Sequence, residues 1–378
     1  MKRVAHVCNT ALSYKILVDK LDLLQKEGYC IDLISAEEGY DKELMSNYNF
    51  STKFINMNRN ISLKKDIISI IEMYKLFKKE QYDIVHTHTA KAGVIGRIAA
   101  KLAKIPVVIH TSHGLPFYEG QPAKQYWTYR MLEKVGSLFC DVICSQNKED
   151  MDKIKQYAPR KKVFYEGNGV DIEKLEDRRK NIKTEDLTRI KTELAINDEA
   201  KIIFVGARFE PVKNHLLLLD ALKELKEEYY DNFVCLLAGK GSLESTIQKK
   251  IKELKLEDNV KMIGHQTDIY PYIELADIVS LTSEKEGIPR ILMESMAFSK
   301  VVVATDVLGT RELVINNETG YLIPYNNPSL FARGLFDVLD NDERAKVFSN
   351  SARALVEKEF TEKIVVNRLN ELYRSLMK

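Results

Sequence analysis

Short runs rich in Val, Ile and Leu alternate with stretches of helical periodicity along nearly the whole chain, and this alternation restricts the fold more than any other property of the sequence. "RVAHVC" reads as a buried strand, "YKILVDKLDLLQKEG" as a helix ending at Gly28, and "CIDLIS" as the next strand. That is a βαβ unit. The pattern continues through a helix around "KKDIISIIEMYKLFKKE", the strand "DIVHTH", the helix "GVIGRIAAKLAK", the strand "PVVIHT", a helical region spanning Trp127 and the strand "DVICS". Strands joined by helices in this way predict an α/β fold with a doubly wound parallel sheet.

After "VFYEGNGVD" the texture changes. Residues 172–200 are charged and nearly free of strand signal, and the alternation then restarts with "KIIFVG", "NFVCLLAGKG", "NVKMIG", "DIVSLTS", "KVVVATD" and "GYLIP". The reading is two Rossmann-like domains: 1–180 with its linker, 181–358, and a closing amphipathic segment 359–378 expected to cross back to the first. The length of 378 residues suits two cores better than one. Open α/β sheets bind ligands beyond the carboxyl ends of their strands, so a cleft between two facing sheets is the expected active site.

Composition excludes several classes. Fifty-seven Lys and Arg against 55 Asp and Glu give a net charge of +2, so no global field favours nucleic acid. Cys8, Cys30, Cys140, Cys144 and Cys235 include no CxxC pair and sit mostly in apolar runs, as expected of reduced thiols in a cytoplasmic protein. No apolar run approaches the roughly 20 residues that span a bilayer, so membrane contact is expected to be peripheral at most. His86 and His88, in "HTHT", are expected to divide, one lining the cleft and one packed; with no third ligand evident, no metal site is predicted. "DND" at 340–342 is expected to be a loop between helices.

Two constellations carry the chemistry. In "EKEGIPRILMESM", residues 284–296, Gly287 permits close backbone approach and Pro289 suits the first helical position, leaving amides that favour an anion. Glu286 and Glu294 flank that position as hydrogen-bond acceptors for ligand hydroxyls. Taken alone, the pair reads more simply as a first-turn acid at the helix dipole and an Arg290–Glu294 pair on a solvated face. In "GARFEPVKNH", Arg208 and Lys213 lie on a strand-to-helix loop, where a guanidinium fork and an ammonium can clamp a diphosphate. A ligand with both phosphate and hydroxyl groups would use all four.

These segments, with "AGKGSLE", "AFSKVVVATDVLGTRELV" and "ETGYLIP", resemble the carboxyl-terminal lobe of retaining glycosyltransferases of the GT-B fold, family 4. "DIVHTHTAKAGVIGRIAAKLAKIPVVIHTSHGLPFYEG" resembles a branch acting in bacterial capsule, exopolysaccharide and lipid-linked oligosaccharide assembly. The resemblance implies a metal-independent, retaining transfer from a nucleotide sugar, with a UDP-linked donor as co-substrate and no further cofactor. It implies that Arg208 and Lys213 hold the diphosphate and that Glu294 binds the ribose. Glu286, with Gly287, Ile288 and Pro289, would hold the transferred sugar. His113, in "TSHG", would lie near that sugar, and the turn carrying Gly239 and Gly241 would mark the nucleotide end. The sugar is expected to be an N-acetylhexosamine, with hexoses left open; an epimerase and a non-catalytic nucleotide-sugar sensor are the alternative readings.

Acceptor binding falls to the first domain, with Asn9, Thr10, His88, Phe117 and Tyr118 as its expected residues. "CNTALSYK" stands where many family members have a Gly-Gly loop, which places close approach by that loop in question. The acceptor is expected to be a saccharide, carried on a polyprenyl diphosphate. Lys64, Lys65, Lys75, Lys78 and Lys79 border an apolar stripe, which suits peripheral contact with an anionic membrane or, alone, a solvated face over a core stripe.

Overall fold

The computed structural model describes residues 1–57 and 62–377. The chain forms two compact units, Met1–Asn168 with Glu362–Lys378, and Gly169–Thr361. Unit 1 contains β1 (Lys2–Thr10), β2 (Tyr29–Ala36), β3 (Ser51–Phe54), β4 (Ile84–His88), β5 (Val107–Ser112), β6 (Val142–Ser145) and β7 (Lys162–Tyr165). They form a seven-stranded sheet in the order β3-β2-β1-β4-β5-β6-β7, parallel throughout. Unit 2 contains β8 (Lys201–Gly206), β9 (Phe233–Ala238), β10 (Val260–Gly264), β11 (Ile278–Leu281), β12 (Val301–Asp306) and β13 (Gly320–Pro324). Its six-stranded parallel sheet runs β10-β9-β8-β11-β12-β13.

Burial explains the continuous apolar runs. Alternate residues of unit 1's strands enter different cores, Val4, Ile84 and Ile109 on one face and Ala5, Val85 and Val108 on the other. Helices cover both, which is the condition for an all-parallel sheet. The strands that the sequence does not announce, β3 "STKF" and β7 "KVFY", are the short edges of unit 1, where partial exposure removes the need for an apolar run.

The division falls at 168/169, upstream of the expected 180, because the charged stretch folds into helices Ile172–Lys180 and Thr184–Glu193 and the first of these sends Leu175 into the core of unit 2. At the two ends of unit 2 the backbone bonds to itself, Val170 N–H to Phe360 C=O at 2.9 Å. The closing segment begins at Glu362 rather than 359; its helix, Glu362–Leu376, buries Val365, Leu369, Leu372 and Tyr373 in unit 1. Lys378 lies outside the described residues. All five cysteines are free thiols. Of "DND", Asp340 and Asn341 lie between helices, Asn341 capping helix Asp342–Glu359, whereas Asp342 is that helix's first residue rather than part of a loop. Among the described residues no helix is long and apolar enough to cross a membrane.

In each sheet the strand order reverses beside the first strand, between β1 and β4 and between β8 and β11. Loops leaving the carboxyl ends of those neighbours diverge and open a crevice for ligand.

Candidate active site

At the switch point of unit 2, the loops after β8 and β11 are tied together by backbone. Thr282 Oγ1 donates to the carbonyls of Lys213 and Asn214 at 3.2 and 3.0 Å, and Glu284 N–H donates to Val212 C=O at 2.8 Å. Asn214, in left-handed backbone at φ 43°, accepts from Leu217 N–H and so starts helix His215–Glu224. This framework brings Lys213 Nζ to 2.5 Å from Glu286 Oε1, which also accepts from Ser283 Oγ at 2.5 Å. Glu286 therefore does not act as a simple first-turn acid. The cation expected to grip phosphate and the carboxylate expected to read hydroxyls are one ion pair, with Lys213 19% and Glu286 9% exposed.

The Glu286–Pro289 loop is fixed from behind. Glu286 N–H donates to Leu308 C=O at 3.1 Å, and Gly309, at φ 90°, lies so close that a Cβ there would fall 1.8 Å from Gly287 O. Ile288 is buried in the unit 2 core. Pro289 is the residue before helix Arg290–Ala297, not its first helical residue: its ψ of 113° is still extended, so the turn closes one position later than expected. The helix's first amides, lacking acceptors within the helix, favour an anion at this end. One turn on, Glu294 Oε1 accepts from Arg290 Nε at 2.9 Å and Tyr270 OH at 3.3 Å. The Arg290–Glu294 pair exists, yet Glu294 is buried rather than on a solvated face.

Arg208 is exposed on the loop after β8. Gly239 and Gly241 support that loop: Cβ atoms there would fall 2.0 Å from Ala207 O and 2.3 Å from Phe209 O. Only glycines let the turn after β9 lie backbone against backbone, with Phe209 N–H donating to Lys240 C=O at 3.0 Å.

In unit 1, His86 and His88 do not divide. Residues two apart on a strand share a face, and their rings stack with centroids 4.6 Å apart. His88 is buried; its Nδ1 meets His113 Nε2 and its Nε2 meets His6 Nδ1, each at 2.9 Å, so it stands behind His113 rather than facing a ligand itself. His86 meets Tyr373 OH and Thr111 Oγ1, both at 2.6 Å. Thr111 donates to Glu166 Oε2 at 2.5 Å, and Lys20 Nζ lies 2.5 Å from Glu166 Oε1. Burial, reinforced by neighbouring histidines and Lys20, holds His6, His86 and His88 neutral, well below the usual imidazole range; burial and then Lys20 bring His113 down to about 4. Burial alone would raise the pKa of Glu166, but Lys20 and Thr111 outweigh it and keep the carboxyl ionised.

His6, His86 and His88 lie close enough to be considered as metal ligands. The 2.9 Å separation of His6 Nδ1 and His88 Nε2 is a hydrogen-bond distance. Two nitrogens sharing a tetrahedral zinc, each at ~2.0–2.1 Å, stand further apart. These three side chains as placed form a hydrogen-bonded cluster, and His86, Cys144 and Glu166 are a second group whose ligand atoms lie close together.

Of the remaining expected residues, Thr10 ends β1 and is buried, while Asn9 is half-buried with Oδ1 lacking a hydrogen-bond partner. "CNTALSYK" continues from β1 into a tight helical turn over Ala11–Ile16. Phe117 is corrected: it is buried edge-on to Tyr126 and Tyr157, a core wedge rather than an acceptor contact. Tyr118 stays partly exposed beside it. Asn9, Ile70, Val94, Ile98 and Leu132 line a mainly apolar cavity of about 360 Å³ under helices Leu63–Glu80 and Ala123–Ser137. Helix Leu63–Glu80 has two apolar faces: Met73 and Phe77 enter the core, while Leu63, Ile67, Ile68 and Ile71 are exposed, as are Trp127, Met131 and Val135 on the second helix.

Sequence reading missed Ser283, Tyr270, Lys20, Glu166, His6 and Tyr373. Only Lys20 and Glu166 carried a signal, as charges beside apolar stretches; their pairing across 146 residues did not.

Comparison with known proteins agrees with this architecture. Residues 186–355 match the family described as glycosyl transferases group 1, and residues 4–147 match the glycosyl transferase 4-like family. The UDP-Gal:alpha-D-GlcNAc-diphosphoundecaprenol alpha-1,3-galactosyltransferase of Escherichia coli is 30% identical over 364 residues, 95% of this chain and 92% of that one. The capsular polysaccharide biosynthesis glycosyltransferase CapM of Staphylococcus aureus is 26% identical, covering 100% of this chain and 98% of that protein. The solved structure of Anabaena Alr3699/HepE in complex with UDP-glucose shares the fold, with a TM-score of 0.83 at 19% identity over 99% of this chain and 100% of that one. With both units matched, and a relative at 30% identity spanning nearly all of both chains, the protein belongs to the group 1 glycosyltransferases, with the GT-B fold and a glycosyl transferase 4-like first unit.

Proposed function

We propose that this glycosyltransferase moves a hexose or N-acetylhexosamine from a UDP-linked donor to a saccharide carried on a polyprenyl diphosphate, with retention and without a divalent metal, in surface polysaccharide assembly. The observation that carries the reading is the Lys213–Glu286–Ser283 cluster at the β8/β11 switch point, followed by the amino end of helix Arg290–Ala297. A nucleoside diphosphate sugar entering there exchanges the Lys213–Glu286 pair for two better-matched contacts. The ammonium meets phosphate and the carboxylate accepts from sugar hydroxyls.

Arg208, Lys213 and the helix dipole neutralise charge growing on the departing diphosphate, which is the function a metal ion would otherwise serve. Glu294, held by Arg290 and Tyr270, is assigned to the ribose hydroxyls. Retention follows if the leaving phosphate takes the acceptor's proton on the same face as the departing group, with Glu286 positioning the sugar. The names of the relatives support the donor and acceptor classes: the E. coli protein uses UDP-Gal and a diphosphoundecaprenol-linked sugar, and a Campylobacter jejuni relative, 31% identical over 55% of this chain, is named for transfer to a diphospho-undecaprenol saccharide.

Unit 1 is assigned the acceptor. Its exposed Leu63, Ile67, Ile68 and Ile71, beside Lys64, Lys65 and Lys75, suit a shallow seat on an anionic bilayer and would keep the protein peripheral at the cytoplasmic face. The test is a screen of UDP-sugars for UDP release with a polyprenyl-diphosphate saccharide, repeated with Glu294→Ala. Acceptor-dependent release that this substitution abolishes is expected. Donor epimerisation, binding without turnover, or full activity of the variant refutes the reading.

A further inference from the structure

The chain of groups behind His113 has a direction, and proton counting reveals it. Lys20 has donors only, and the ionised Glu166 has acceptors only. Glu166 therefore takes the single proton of Thr111, at 2.5 Å. With that proton committed, Thr111 Oγ1 is an acceptor toward His86 Nε2 at 2.6 Å, so His86 carries its proton on Nε2. A neutral His86 then offers a bare Nδ1, and Tyr373 must donate its phenolic proton there, again at 2.6 Å. The Tyr373 oxygen is left as acceptor for His6 Nε2–H, at 3.4 Å. The same step repeats twice: His88 Nε2–H donates to His6 Nδ1, and His113 Nε2–H donates to His88 Nδ1, both at 2.9 Å.

One consequence remains at the end. His113 Nδ1 is left as a lone-pair acceptor, buried and with no hydrogen bond in normal geometry, and Gln146 is the polar side chain beside the ring. We propose that Glu166, Thr111, His86, Tyr373, His6 and His88 form a one-way hydrogen-bond relay that fixes His113 as the Nε2–H tautomer, so that Nδ1, once the side chains covering it turn aside, accepts a hydrogen bond from a hydroxyl of the bound saccharide. The six are positioning residues acting through His113. The hydroxyl contact rests on the saccharide-transfer reading above; the tautomer does not.

Physical circumstances favour such a relay. The polar groups sit at the carboxyl end of the sheet face that is otherwise apolar, with Val4, Ile84 and Ile109 beneath and the closing helix above, so water does not compete for their protons. Burial also keeps every imidazole in it neutral, and a neutral imidazole with one nitrogen donating must accept at the other. The anionic end thus sets the polarity of all links, and Tyr373 is the step contributed from the far end of the sequence.

The experiment is nitrogen-15 NMR of the full chain labelled at its seven histidines, with His113 assigned through His113→Gln. The expected result is protonation of His113 at Nε2 and an unprotonated Nδ1 in the wild type. Tyr373→Phe removes both the donor to His86 and the acceptor for His6, and Thr111→Val cuts the link to Glu166. Each should admit a measurable Nδ1–H population at His113 and lower kcat/KM for UDP-sugar transfer by about 3- to 10-fold, the worth of one neutral hydrogen bond. A wild-type His113 protonated at Nδ1 overturns the proposal even if both variants misfold. So does an unchanged tautomer in both variants, or stoichiometric metal on His6, His86 and His88. A tautomer shift with unchanged kcat/KM removes the hydroxyl contact, whereas absence of any sugar transfer with the expected tautomer refutes the function and leaves the relay standing.

Discussion

Gly309→Ala gives the sharpest test of how the donor loop is held. A Cβ at this position falls 1.8 Å from Gly287 O, 2.7 Å from Gly287 C and 2.8 Å from Glu286 C. All three are backbone atoms, so no side chain can turn away to make room. Restoring an ordinary carbon–oxygen separation of about 3.3 Å requires the Glu286–Gly287 peptide to retreat by roughly 1.5 Å. Alanine at φ 90° adds ~1–2 kcal/mol of backbone strain. Retreat also stretches the 3.1 Å bond from Glu286 N–H to Leu308 C=O and draws the carboxylate from Lys213. A displacement of ~1 Å at a positioning group costs about 100-fold in rate. The expected outcome is a loss of ~2–3 kcal/mol in stability, adding strain to a weakened hydrogen bond, with a fall of at least about 100-fold in kcat/KM. The control is Gly28→Ala, at φ 97° with nothing within 4 Å of the added carbon, which carries the strain without the collision and should retain its turnover. UDP release and thermal unfolding of both variants report the two effects. If Gly309→Ala turns over within a factor of about three of wild type, the loop is not held by this contact and the reasoning fails.

Other expectations follow from separate features. Lys213→Ala removes the partner of Glu286 and one cation from the site, and should lower kcat by about 100- to 1,000-fold, measured by UDP release at saturating donor; normal turnover would dissociate the pair from the chemistry. Buried His6, His86, His88 and His110, and half-buried His113, all have folded-state pKa values below the ordinary 6.5, so the unfolded chain binds more protons in acid. Their stabilisation is complete above that value and is lost as pH falls through it toward the folded values, about 4 for His113, at up to ~1.4 kcal/mol per histidine per pH unit. Urea unfolding at pH 7.5 and pH 5.5 should show the loss. Ile67→Glu with Ile71→Glu should weaken sedimentation with vesicles containing anionic lipid while leaving turnover on a water-soluble acceptor intact. Glu133→Gln leaves the fully buried Arg97 guanidinium without the carboxylate 3.1 Å away, and should destabilise by ~3–5 kcal/mol in denaturant titration.

Much of the fold was legible because a parallel sheet covered on both faces demands uninterrupted apolar strands, and β1, β4, β8 and β12 supply them. The edges β3 and β7 lacked that demand and left no comparable trace. Within the site, the spacing of Glu286 from Glu294 and of Arg208 from Lys213 carried a family resemblance and marked the loops. The shared face of His86 and His88 was also implicit in the two-residue period of a strand; expecting them to divide misapplied it.

What the sequence determined by itself is therefore local and periodic: which segments are strands or helices, which loops follow them, and which charged residues those loops carry. Only the tertiary structure decided the pairings: Lys213 with Glu286 across 73 residues, Lys20 with Glu166 across 146, and His86 with Tyr373 across 287. It also turned Phe117 inward. Periodicity follows from the backbone geometry of each element, whereas a hydrogen bond between distant side chains depends on the register of whole sheets and the docking of helices on them, which no local pattern encodes.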